Sequence, residues 1–193
     1  LFAYDYINNV HILITDNITS YGVRLGNDRG LGSGGAVFGN GTLYLGVENN
    51  YGGRPTGDNT GQTQDSIYRI SFSNNGRTVS SATLFVGYNA PTNQTFNAEW
   101  GDLGFDPNNN HLISSATNAG GTAQIVRYNA NTGAVVSTGT SPIGSAGQVS
   151  TDVNGNVYLV TGGGAAQAVI QTYNPATNTV GPVLNVTTDG TTN

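Results

Sequence analysis

The sequence predicts an all-β protein, a β-propeller built from four-stranded antiparallel blades, with about three and a half blades in its 193 residues. Three observations predict it. Short segments alternate apolar and polar residues with period two, as half-buried strands do. These segments come in pairs joined by Asn-, Gly- and Thr-rich turns, and the pairs form two families that advance together along the chain. No segment carries a sustained 3.6-residue period with caps, so no substantial helix is expected.

The first family reads LFAYDYINNVHIL from Leu1, IYRISFSNNGRTV from Ile67, IVRYNANTGAVV from Ile125 and IQTYNPATNTVG from Ile170. Each has an alternating run, a turn and a second alternating run. The turns suit positive φ, and type I turns followed by a bulge, so each segment is a hairpin. The second family reads GGAVFGNGTLYLGV (34–47), GDLGFDPNNNHLIS (101–114) and GQVSTDVNGNVYLV (147–160). Phe38, Phe105 and Thr151 close one strand of each, 67 and 46 residues apart. Ile67, Ile125 and Ile170 are 58 and 45 residues apart, so the families keep step.

Two hairpins in a unit of some 45 residues make four strands. Such a unit cannot bury both faces alone and must stack on its neighbours. Radial stacking of four-stranded units is a propeller. A stacked solenoid or a two-sheet sandwich is the alternative, but solenoid repeats are shorter and sandwich strands do not recur as one four-strand paragraph. The units form one domain over 1–193, with an outer hairpin at 1–15 and blades at 34–88, 101–141 and 147–189. Closed rings have four to eight blades. The expectation is therefore that the remainder of the parent chain, or a second chain, completes the propeller; two copies of three and a half would sum to seven.

Composition narrows the function. Charged residues are 9% of the chain, against about 25% in an average soluble domain. There is no lysine, and the surface must be made from Asn, Thr, Ser, Gly and Gln. A net charge of −5 with no basic stripe excludes a nucleic-acid partner and electrostatic docking on anionic lipid. No stretch nears the roughly 18 continuous apolar residues of a membrane span, so no direct membrane insertion is expected. Without cysteine, disulfides and thiolate chemistry are excluded. This composition fits an extracellular or cell-surface protein.

The segments GDLGFDPNNNHLISS with IVRYNANTGAVV, and VSTDVNGNVYLVTG with IQTYNPATNTVG, resemble propeller repeats of large bacterial secreted and cell-surface proteins. Adhesin-like proteins of Bacteroidetes, including gliding-associated ones, carry similar blades. The resemblance covers most of residues 34–189. It implies an extracellular β-propeller module of a larger chain, used for adhesion, surface display or structural spacing.

Several motifs invite chemistry. Asp106-x-Asn108-x-Asn110 is matched by Asp152-x-Asn154-x-Asn156, a spacing that opens a calcium loop. Positions 117 and 163, where such a loop needs a bidentate Glu, are Thr and Gly. Turn chemistry accounts for both stretches, since Asp and Asn side chains bond their own backbone. The matching FGNGTL keeps the turn without Asp, so no cofactor is expected and Ca2+ is the minor alternative. His11 and His111 read as strand residues lacking a ligand neighbour at metal spacing. TGGGAA (161–166) lacks the Lys-Ser/Thr of a phosphate loop, and GSAG (144–147) is no nucleophile elbow. Sequons at Asn17, Asn40, Asn93 and Asn185 fit chance in so Asn- and Thr-rich a chain.

The candidate ligand site comes from topology. The long loop 48–65 and the NAEW stretch before Gly101 would share one propeller face. That face would gather Glu48, Tyr51, Arg54, Asp58, Glu99, Trp100 and Asp102. Aromatic rings with neutral and acidic partners suit a carbohydrate, which gives a lectin-like propeller binding surface glycans as the alternative to a module that engages other surface proteins. A propeller enzyme such as a lyase or lactonase would need several metal-holding carboxylates or histidines. The sequence supplies too few, so no catalysis is expected.

Overall fold

The computed structural model describes residues 1–5, 7–15, 17–21, 33–47, 66–86, 94–96, 103–118, 123–143, 148–152, 154–161 and 169–184. The chain divides into two compact units, Leu1–Gly101 and Asp102–Asn193. The first holds β1 (Phe2–Asp5), β2 (Val10–Leu13), a single 3-10 turn (Ile18–Tyr21), β3 (Ser33–Gly39), β4 (Thr42–Val47), β5 (Ser66–Ser73), β6 (Thr78–Val86) and the short β7 (Gln94–Phe96). The second holds β8 (Leu103–Asp106), β9 (His111–Asn118), β10 (Ala123–Asn129), β11 (Val135–Thr140), β12 (Gln148–Thr151), β13 (Val157–Thr161), β14 (Val169–Asn174) and β15 (Thr179–Leu184).

The expected run of four antiparallel strands occurs three times, twice as a four-stranded sheet and once, as β8–β11, within a sheet of five strands. β3-β4-β5-β6, β8-β9-β10-β11 and β12-β13-β14-β15 each pair in chain order. β1 and β2 form a separate hairpin, as the alternation over 1–15 requires.

Turn residues fix the registers. Asn40 and Gly41 have φ of 49° and 74°, the left-handed pair of a two-residue hairpin turn, and close the Gly39–Thr42 pair. Asn tolerates this region because its short polar side chain bonds locally, and Gly because it has no Cβ. Asn110, Gly133, Gly155 and Asn178 take the same region at the corresponding turns of the second unit.

Each sheet has two faces, and the cross-strand register makes them equivalent from repeat to repeat. Phe105, Leu112 and Tyr128 lie in one row across β8, β9 and β10. Thr151, Val157 and Tyr173 form the same row across β12, β13 and β14. We term this the front face. It also carries Leu103, Ser114 and Val126 in the first of these sheets and Val149 and Leu159 in the second. The back face carries Gly104, Ile113, Ser115, Ile125 and Arg127, matched by Ser150, Tyr158, Val160, Ile170 and Thr172.

In the second unit the back of β8–β11 packs on the front of β12–β15. Ile113 and Ile125 form one core with Val149, Val157, Leu159 and Tyr173. Burying such side chains stabilises by about 1.5–3 kcal/mol each. In the first unit the sheet is covered by a hairpin and a turn rather than by a second sheet. Its β3–β6 front, with Leu45, Tyr68 and Ile70 and the neighbouring Val79, receives Leu1 and Ile14 from the ends of the N-terminal hairpin and Ile18 and Tyr21 from the turn after it.

Candidate functional site

The candidate polar site is built from Asx turns and from the contacts that join one repeat to the next. At the start of five of the hairpin turns an Asp or Asn folds back on the chain. Asp5 Oδ1 accepts from the N–H groups of Ile7 and Asn8, while Oδ2 accepts from the Asn8 amide at 2.8 Å. Asp106 does the same with Asn108 and Asn109, at 2.9 and 3.2 Å, and with the Asn109 amide at 2.7 Å. Asn129 accepts from the N–H groups of Asn131 and Thr132, and Asn174 from that of Ala176.

Asp152 is the variant. Its Oδ1 accepts from the N–H groups of Asn154 and Asn156, both at 2.9 Å, and its Oδ2 from the Asn156 amide at 2.7 Å and the Tyr158 hydroxyl at 3.2 Å. The turn after Asp106 has four residues between paired positions, and that after Thr151 has five. The identical Asp-x-Asn-x-Asn spacing thus hides two geometries. In the first, Asn109 and not Asn110 binds the carboxylate, and the Asn108 amide leaves the turn altogether. The Asn156 amide holds the Asp152 carboxyl below its ordinary value, helped by the backbone N–H groups of the turn. At Asp5 the Asn8 amide has the same effect.

Contacts between repeats start where the turns end. Asn108 donates to the Asn154 carbonyl at 3.0 Å, one repeat on. The Phe105 N–H donates to Thr151 Oγ1 at 2.9 Å. On the outer strands, Arg127 Nη1 donates to the Pro175 carbonyl at 2.7 Å, while Nη2 lies 3.1 Å from His111 Nδ1. A guanidinium only donates, so Nδ1 accepts and His111 is neutral here. Burial lowers the His111 pKa, the Arg127 charge lowers it further, and Asp106 opposes both. Asn178 completes the set: it accepts from the Tyr173 hydroxyl at 2.8 Å and donates to the Thr140 carbonyl at 2.9 Å.

Both histidines lie on strands, as expected. His11 packs its ring on Tyr4, centroids 5.0 Å apart, and His111 takes part in the contact between repeats. The sequence did not single out Arg127 or Asn178, and it read Asn108 only as a turn residue or a minor calcium ligand, not as a contact between repeats. The only trace available there was the return of Asn at both turns 46 residues apart, which the turn reading already absorbed. The candidate ligand residues Glu48, Tyr51, Arg54, Asp58, Glu99, Trp100 and Asp102 lie outside the described residues, as do most of 161–166 and all of 144–147. Among the described residues no group of three or more His, Cys, Asp or Glu side chains could hold a metal ion, and no helix is long and apolar enough to cross a membrane.

No protein-family model matches the chain, and no curated protein matches it.

Proposed function

We propose that the chain is an extracellular β-propeller module of a larger cell-surface protein, acting without catalysis in adhesion, surface display or spacing. The observation that supports this reading is the packing of the β8–β11 back on the β12–β15 front in the second unit, beside the β1–β2 hairpin set on the β3–β6 front in the first. Repetition of one contact generates an extended scaffold, and a propeller is the ring that such a scaffold makes when each step turns by the same angle. The polar side chains at the turns support a scaffold role, because Asp106, Asn129, Asn108 and Asn178 are engaged in folding the chain and joining repeats. The low charge leaves a neutral Asn- and Thr-rich surface for contact with glycans or with other surface proteins.

Antibodies raised against the 193-residue chain test the reading on intact cells of its source. Labelling without permeabilisation, lost after external protease treatment, is the expected result. Labelling only after permeabilisation overturns it.

A further inference from the structure

We propose that Asn40 is a site of spontaneous covalent modification, losing its side-chain amide by cyclisation onto the Gly41 nitrogen, and that Asn108 protects the matching pair Asn154-Gly155 from the same reaction across the contact between repeats. This inference goes beyond the adhesion reading and stands without it.

The sequence contains three Asn-Gly pairs, at 40–41, 75–76 and 154–155, each at a hairpin turn. In such a pair the Gly backbone nitrogen gives up its proton to hydroxide and bonds to the Asn Cγ. The bond from Cγ to the side-chain nitrogen breaks, and ammonia leaves with a proton taken from water. The cyclic imide then adds water at either carbonyl and opens to aspartate or to isoaspartate. The net change is one amide and one water into one carboxylate and one ammonium ion. Glycine permits the attack because it has no Cβ to obstruct the approach and a freely adjustable backbone.

The three turns differ in how firmly they hold the peptide group that must rotate to bring the nitrogen onto Cγ. At 154–155 both ends of that group are held. The Gly155 N–H donates to the Asp152 carbonyl at 3.0 Å, and the Asn154 carbonyl accepts from the Asn108 amide at 3.0 Å. The Asn108 amide also stands where a Cβ on Gly155 would lie, with Pro107 Cδ 3.2 Å from that point. At 75–76 the nitrogen end is held, since the Gly76 N–H donates to the Ser73 carbonyl at 3.1 Å. At 40–41 the Gly41 N–H has no acceptor among the described residues. Asn40 is exposed, and a Cβ on Gly41 would meet none of the described residues within 4 Å. Rotation there breaks the fewest contacts, whereas at 154–155 it must break one that arrives from another repeat.

The products alter the turn differently. Isoaspartate inserts a methylene into the main chain of a two-residue turn whose residues both hold positive φ, next to the closing Gly39–Thr42 pair. Aspartate keeps the chain length and adds a negative charge to the net −5.

Peptide mapping by mass spectrometry tests this on the folded 193-residue chain held at mildly alkaline pH. Cleavage after Arg29, Arg69, Arg77 and Arg127 puts each pair in a separate peptide. Conversion is expected first at Asn40, later at Asn75 and last at Asn154. Asn108→Ala should raise the Asn154 rate several-fold and leave that of Asn40 unchanged. In urea at the same pH the three rates should converge. A folded-chain rate at Asn154 equal to or above that at Asn40 overturns the proposal. So does an Asn154 rate unmoved by Asn108→Ala, or the same spread of rates in urea as in buffer. Should Asn108→Ala lose its cooperative melt, Asn108→Ser, which keeps a turn-forming side chain without the amide, replaces it.

Discussion

At the level of single residues, the turn carboxylates carry most of the specificity. Asp106 is 3% exposed and serves two backbone N–H groups and one amide. Replacing it with Ala leaves these donors without their acceptor, at a cost of about 1–3 kcal/mol for a buried donor left unsatisfied. Asp106→Asn should cost clearly less, because Asn129 already holds an equivalent turn with an amide oxygen. Urea melts of the two variants check the order. Titration gives a second expectation. His111 has a folded-state pKa below its ordinary 6.5, so its contribution to stability is present above that pH and is lost as pH falls through the folded value. Asp152 and Asp5 have values below 3.8, so theirs is lost only further down, as those carboxyls protonate. Tyr128 behaves oppositely. Burial pushes its phenol up to about 12, so its contribution is full below pH 10 and is lost as pH rises toward that value. Thermal melts across pH should therefore show an acid shoulder that His111→Gln removes, and an alkaline decline that Tyr128→Phe flattens.

Among the elements, the hairpins were legible in the sequence because strand alternation and turn composition are local signals. Every predicted hairpin is present, from Phe2–Leu13 to Val169–Leu184. The contacts between repeats were not legible. Asn108 looks like any turn Asn until the next repeat places the Asn154 carbonyl beside it, and Arg127 looks like an exposed strand charge until Pro175 arrives. Nor does Asp-x-Asn-x-Asn reveal whether its turn has four or five residues, since Asn110 and Gly155 both accept positive φ. The candidate ligand residues from Glu48 to Asp102 come from stretches of sequence without strand alternation, and they lie outside the described residues. Gly104 is the sharpest test of the packing between sheets. A Cβ there would meet Val149 Cγ1 and Thr151 Cγ2 at 3.0 Å, both in the adjoining strand β12. Gly104→Val should destabilise by about 1–3 kcal/mol through overpacking. Leu159→Ala, which empties the same core, should cost about 2–5 kcal/mol. Both are read from the denaturation midpoint at unchanged slope.

For the whole molecule, the account rests on one step between four-stranded sheets: the back of β8–β11 on the front of β12–β15. That step explains why Ile113 and Ile125 are buried while the corresponding Tyr158 and Ile170 are half-exposed, and why the polar contacts link residues some 46 positions apart. The most direct test is a nuclear Overhauser experiment on the isotopically labelled 193-residue chain. Within the sheet, cross-strand signals between Gly104 and Ile113 report the β8–β9 pairing. Between sheets, the account predicts strong signals from the Gly104 α-protons to the methyl groups of Val149 and Thr151. Intact cross-strand signals with no Gly104–Val149 or Gly104–Thr151 signal would show folded repeats that do not stack in this way, and would contradict it.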